Sequence, residues 1–120
     1  MTIPIKKVLV VDDEEMYLDL IRDLLQINKF QVEVAKTPHD ARQLYEKFQP
    51  DLLVSDWLLK DEMTGHDLAK ELLERKNDLK VVIVSGLPSI KLEESEWIKL
   101  LKKPFRQAEL LEVIQSYSAA

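Results

Sequence analysis

Short apolar runs alternate with amphipathic stretches along the chain. The runs are Val8–Val11, Val32–Val34, Leu52–Ser55, Val81–Val84 and, more weakly, Ile98–Leu101. The first is continuous and β-branched, the pattern of a strand buried on both faces. Between the runs, Tyr17, Leu20, Ile21, Leu24 and Leu25 recur at helical spacing, as do Ala41, Leu44, Tyr45 and Phe48. Leu68, Ala69, Leu72 and Leu73 form a third stripe, and Leu110, Val113, Ile114 and Tyr117 the last. Asn28 stands where a helix needs a left-handed stop, and Pro38 and Pro50 punctuate the second helix. Strands alternating with helices predict an α/β fold, a parallel sheet with helices on both faces and right-handed crossovers. In such sheets ligands bind beyond the carboxyl ends of the strands, where the strand order reverses.

Composition narrows the partners. A chain of 120 residues, 46% apolar, is long enough for one real core, so a single domain over residues 1–120 is expected. The net charge of −5 argues against nucleic acid or anionic membrane as the main partner. The absence of cysteine excludes disulfides, thiolate catalysis and Cys-based zinc sites. No apolar run approaches a membrane span, and the start, MTIPIKK, lacks the apolar core of a secretion signal. A soluble, cytoplasmic protein is the expectation.

The first run ends abruptly in Asp12, Asp13, Glu14 and Glu15. Two like charges about 4 Å apart repel by roughly 4 kcal/mol at a surface-like dielectric. Either the acids splay into water and cap a helix, or something positive sits between them. The other runs end in Ser55–Asp56, Ser85–Gly86 and Lys103–Pro104. In a parallel sheet all of these reach one rim. Three carboxylates with open positions suit Mg²⁺, which prefers carboxylate oxygen and keeps water or phosphate as further ligands. Beside a metal and a lysine, a carboxylate can act as nucleophile toward phosphorus.

The segments VLVVDDEE, LLVSDWLL, VVIVSG and KKPF, in that order and at fitting distances, resemble the receiver domain of two-component response regulators, the CheY-like superfamily. The resemblance covers essentially the whole length. It implies a doubly wound, flavodoxin-like sheet of five parallel strands in the order 2-1-3-4-5. It further implies a phosphoaccepting function in a phosphorelay. Asp56 would take a phosphoryl group from a phosphohistidine on a histidine kinase or histidine phosphotransfer protein. Asp13 would bind Mg²⁺ directly, with Asp12 acting through water and the backbone carbonyl of Leu58 adding a contact. Lys103 would pair with the phosphoryl group and Ser85 would hydrogen-bond to it. The Lys103–Pro104 bond would be cis, which only proline makes cheap. Such a protein is a signalling phosphoacceptor rather than an enzyme, though it catalyses its own phosphotransfer and a slow autodephosphorylation.

The chain departs from that pattern in three places. Leu100 stands where the family usually has a switch aromatic, three residues before the lysine. The stretch from Ser85 to Lys103 is short, so LPSIKLEESEW leaves a fourth helix of little more than a turn or two. The dimer face of many transcriptional regulators uses that helix, and a monomer is expected instead. The loop DWLLKDEMTG lacks the common proline and carries one extra residue before Gly65, resembling receivers attached to hybrid kinases or standing alone. Elsewhere, Lys99 and Lys102 read as the solvated face of an edge strand. His39 and His66 read as surface residues, and Trp97 as packing for the short helix. Trp57 would partly cover the acceptor, Phe105 would anchor the last helix, and Leu58 and Leu87 fall at the mouth of the site.

Three other functions compete. A receiver that binds its partner without phosphorylation is permitted by Leu100, yet it would need none of Asp12, Asp13, Asp56, Ser85 and Lys103. Phosphohydrolases of the haloacid-dehalogenase type place Asp-x-Asp after the first strand, whereas these acids are adjacent. A nucleotide-binding Rossmann turn needs glycines, and only Gly65 and Gly86 exist.

Overall fold

A computed structural model of the chain describes residues 5–75, 78–87, 90, 92 and 94–118. The strands are β1 (Lys7–Val11), β2 (Gln31–Ala35), β3 (Leu52–Asp56), β4 (Lys80–Ser85) and β5 (Ile98–Lys102). The helices are α1 (Glu15–Ile27), α2 (Pro38–Phe48), α3 (Gly65–Leu73) and α4 (Gln107–Ser118). All strand pairs are parallel and the order is β2-β1-β3-β4-β5, as the resemblance implies. Each of the five apolar runs is a strand, extended by one or two residues.

Alternation along each strand divides the core in two. Val8 and Val10 of β1 join Leu52, Val54, Val82 and Val84 beneath α1 and α4. Leu9 and Val11 join Leu53, Val81 and Ile83 beneath α2 and α3. Both faces of the central strands are therefore apolar, which explains their continuous hydrophobic runs.

Helix ends follow local chemistry. Thr37 accepts a hydrogen bond from the Asp40 N–H at 3.1 Å, and Pro38 opens α2 where its missing N–H costs nothing. Thr64 and Asp67 form a reciprocal capping box at the start of α3. Helix α1 ends differently from the sequence reading. Asn28 keeps a negative φ and caps with its side chain, Nδ2 donating to the Leu24 carbonyl at 2.8 Å. The left-handed residue is its neighbour Lys29, at φ 72°. On α1 the buried stripe is Leu18, Ile21, Leu24 and Leu25, while Leu20 is exposed. The stripe begins one residue later than periodicity suggests, because Tyr17 belongs to the rim.

The segment 87–97, expected to hold a compressed helix, contains residues 88–89, 91 and 93, which lie outside those described. Its described residues are in no helix. Trp97, Leu92, Leu100 and Trp57 pack half-buried against the core cluster beneath α2 and α3. Lys102 is exposed as an edge lysine should be. Lys99 is not simply solvated, since its ammonium lies 4.8 Å from the Tyr117 ring centre and donates to Ser116 at 2.6 Å.

Gly65 explains how α3 meets the sheet. A Cβ there would lie 2.3 Å from the Asp56 carbonyl oxygen and 2.7 Å from Ser55 Oγ. The first is backbone, and Ser55 Oγ donates to that same carbonyl at 3.0 Å, so neither swings aside freely. Gly65→Ala should therefore destabilise the fold by about 1–3 kcal/mol, the usual cost of overpacking. Urea denaturation of the two proteins would measure it, and equal midpoints would show that α3 can slide.

Candidate functional site

The switch point of the sheet falls between β1 and β3, where the chain order reverses. Val11 pairs with Ser55, so Asp12, the residue that follows β1, sits level with Asp56. On the other side Asp56 pairs with Val84, and Ser85 with Lys102, which brings Ser85 and Lys103 to the same rim. The Lys103–Pro104 peptide is cis. Asp12, Asp13, Asp56, Ser85 and Lys103 thus converge as the strand ends suggest.

Asp12 is buried at 2% exposure and both its oxygens are engaged. Oδ1 accepts the Glu14 N–H at 2.9 Å, and Oδ2 accepts from Lys103 Nζ at 3.1 Å. Lys103 Nζ also donates to Asp56 Oδ1 at 3.4 Å. The acids do help to start α1, but Glu14, at the N-cap, makes no side-chain cap bond. A positive group does sit beside Asp12: the Lys103 ammonium bridges it to Asp56.

One lysine does not balance the charge. Carboxylate oxygens of Asp12, Asp13 and Asp56 lie within 4.8 Å of one another. Three negative charges against the Lys103 ammonium leave −2, the charge that one divalent cation would cancel. Burial, then the charge of Asp12, holds the Asp56 carboxyl above its ordinary range, and Lys103 only partly offsets them. Burial pulls the Lys103 amine down, but the hydrogen bond and charge of Asp12, and then of Asp56, leave it raised. A hard oxygen-bound divalent cation fits this donor set.

The site opens into a cavity of about 420 Å³ lined by Glu14, Tyr17, Leu58, Ser85, Leu87 and Pro104 around Asp56 and Lys103. Leu58 and Leu87 are exposed at its mouth, at 55% and 43%. The Ser85 hydroxyl oxygen accepts the Leu87 N–H at 3.0 Å, so its proton is free to point elsewhere. Past Asp56 the backbone makes a narrow hairpin. Leu59 N–H bonds the Met63 carbonyl at 3.0 Å and Gly65 N–H the Trp57 carbonyl at 2.8 Å. Asp61 and Glu62 turn it with positive φ of 64° and 56°, the φ signs of a type I′ turn, without the usual Gly. The carbonyl of Leu58 makes no hydrogen bond among the described residues.

Trp57 is expected to cover Asp56 in part, but it does not line the Asp56 cavity and packs against the core instead. Its ring stacks on His66 at 6.4 Å, so His66 is half-buried beside the rim rather than a free surface residue, while His39 is exposed. Phe105 is half-buried and leans on Tyr17. Tyr17 and Glu14 are site residues that sequence periodicity absorbs into helix α1. Their signal is position alone, within one helical turn of Asp13.

The family model for the response regulator receiver domain matches residues 8–115. The sensory transduction protein LytT of Bacillus anthracis is 30% identical over 116 residues, 92% of this chain and 46% of that protein. The phosphate regulon transcriptional regulatory protein PhoB of Rhizobium meliloti is 30% identical over 113 residues, 88% of this chain and 48% of that protein. The chain thus spans about half the length of these curated relatives. Among solved structures, the chemotaxis response regulator CheY4 of Vibrio cholerae superposes with a TM-score of 0.82. It is 23% identical, and the match covers 94% of this chain and 98% of that one. That likeness speaks for the fold alone. The chain belongs to the response regulator receiver domain family, the receiving module of two-component signal transduction. No helix among the described residues is long and apolar enough to cross a membrane.

The crowding at Asp56 has a measurable sign. A carboxyl whose folded pKa lies above its unfolded value binds protons more readily when folded, so stability falls as pH rises from about 3.8 through the folded pKa. In metal-free buffer Asp56→Asn should therefore be more stable than wild type at neutral pH. The advantage should vanish below the unfolded value. Urea midpoints across that range test it, and a wild type that is the more stable at neutral pH would reverse the assignment.

Proposed function

We propose that residues 1–120 are one receiver unit that accepts a phosphoryl group on Asp56 from a phosphohistidine of a histidine kinase or histidine phosphotransfer protein. The observation that carries this reading is the meeting of Asp12, Asp13 and Asp56 with Lys103, where Asp56 and Lys103 line an open cavity. In the transfer, an Asp56 oxygen bonds to phosphorus as the phosphorus–nitrogen bond breaks, and its electron pair stays on the imidazole. Lys103, already 3.4 Å from Asp56, is placed to pair with the oxygens of the arriving group. Ser85, whose lone pair is taken by Leu87 N–H, has its proton left to donate. A bound Mg²⁺ would supply further neutralisation of those oxygens.

The donor set distributes the metal roles. Both oxygens of Asp12 are engaged, which favours direct contact through Asp13 and Asp56 and a water-mediated part for Asp12. The unused Leu58 carbonyl is a further candidate ligand. Met16 and Leu20 are exposed on α1, and with Leu58 and Leu87 they offer an apolar surface next to the cavity for the partner. A cytoplasmic monomer completes the proposal, because the short segment between β4 and β5 leaves little of the usual dimer helix. The second reading, a module that works without phosphorylation, rests on Leu100, which packs half-buried into the core where the switch aromatic is usual.

Mass spectrometry after incubation with acetyl phosphate and Mg²⁺ separates the two readings. Wild type should gain one phosphate, and Asp56→Asn none. An unmodified wild type would favour the second reading.

Removing Asp13 takes a charged ligand from a small set. Mg²⁺ affinity in Asp13→Ala should fall by more than about tenfold, since even outer-sphere partners contribute that much. Trp57 fluorescence follows the titration, and an unchanged curve would remove Asp13 from the metal site.

Hydrolysis of the phosphoryl group needs an oriented water. The exposed Leu58 and Leu87 cannot hydrogen-bond one, so phospho-Asp56 should persist unless a partner supplies a polar group. Leu58→Asn should speed phosphate release by about two- to tenfold, the worth of one hydrogen bond. Equal release from wild type, Leu58→Asn and Leu87→Glu would show that these side chains do not gate the water.

A further inference from the structure

Lys103 has a third neighbour besides its two carboxylates. Its Nζ lies 3.9 Å from the centre of the Tyr17 ring, well inside cation–π range. The ammonium carries three protons, and Asp12 and Asp56 take hydrogen bonds from one side of it. The ring closes another side. With the Lys103 side chain only 12% exposed, the contact is largely desolvated, the condition under which such contacts are strongest. Tyr17 is itself held from behind, its ring 6.3 Å from Phe105 at 43°. Its hydroxyl makes no hydrogen bond among the described residues, so the ring face is the part of Tyr17 in use.

We propose that Tyr17 is a positioning residue for phosphoryl transfer, its ring face holding the Lys103 ammonium at the acceptor carboxylate. A lysine on a four-carbon stem can swing toward solvent through the open mouth of the cavity. An aromatic wall on the α1 side restricts that motion, and Phe105 ties the wall to the segment that follows Lys103. This rests on the reading of Asp56 as acceptor.

Two measurements test it on the intact chain. In proton NMR, the Lys103 side-chain methylene signals next to the ammonium should be shifted upfield by the ring in wild type and Tyr17→Phe. In Tyr17→Leu, which keeps an apolar side chain, that shift should vanish. With acetyl phosphate and Mg²⁺, Tyr17→Leu should lower the maximal rate of phosphorylation by about fivefold or more, as loss of a desolvated cation–π contact would. The half-saturating donor concentration should change less, and Tyr17→Phe should rescue the rate. In a Lys103→Ala background, Tyr17→Leu should have no further effect. Equal rates in wild type and Tyr17→Leu, failure of Tyr17→Phe to rescue, or unshifted Lys103 signals in wild type would each overturn the proposal while leaving Asp56 as acceptor. A wild type that takes up no phosphate would remove that reading, and this proposal with it.

Discussion

The site is organised by like-charge crowding that the sheet itself enforces. Parallel pairing of β1 with β3 in the Val11–Ser55 register sets Asp12 level with Asp56, and neither can retreat without breaking strand hydrogen bonds. At such separations the repulsion is worth roughly several kcal/mol at a surface-like dielectric. Lys103 enters from the other end of the sheet, two strands beyond β3, and holds both carboxylates. The placement of β5, the course of the chain after it and the contact with α1 through Tyr17 all serve to deliver that one amine. The charge it leaves uncompensated is what makes the rim receptive to a cation.

The two faces of the sheet support this rim unequally. Beneath α1 and α4 the covering is helical throughout, with Leu110, Ile114 and Tyr117 of α4 fully or nearly buried. On the other face α2 and α3 cover β1, β3 and part of β4, and side chains from Trp57, Trp97, Leu92 and Leu100 help to cover the remainder. Arg42 of α2 makes a two-pronged ion pair with Glu71 of α3, at 2.6 and 3.1 Å, and also reaches Met63 in the hairpin after Asp56. The loop that follows Asp56 is therefore fastened to the helical face.

Strand order, the strand ends and the convergence of Asp12, Asp13, Asp56, Ser85 and Lys103 are legible in the sequence, because buried parallel strands are continuous apolar runs and their ends are marked by polar residues. The details that escape it depend on direction rather than spacing. Periodicity cannot tell whether Tyr17 faces the core or the rim, since it lies in the first turn of α1 and both directions are open there. Asn28 is the natural left-handed residue, yet its side chain already satisfies the Leu24 carbonyl and the turn passes to Lys29. Likewise Asp61 and Glu62 carry positive φ without any glycine to announce it. His66 looks solvated until the ring of Trp57 is found stacked beside it.

Gly65 gives Asp56 a mechanical neighbour. With no side chain between them, the start of α3 rests directly on the backbone of Asp56, closer than any other residue type would allow. A soft contact absorbs small displacements through rotamer changes, but backbone against backbone has none to make. Displacement of the Asp56 carbonyl toward α3 must carry the start of that helix with it. The nine residues of α3 then act as a stiff rod of about 13 Å, at the usual rise per residue. Its far end stands well away from the carboxylates, so α3 would carry such a displacement out of the site to the surface.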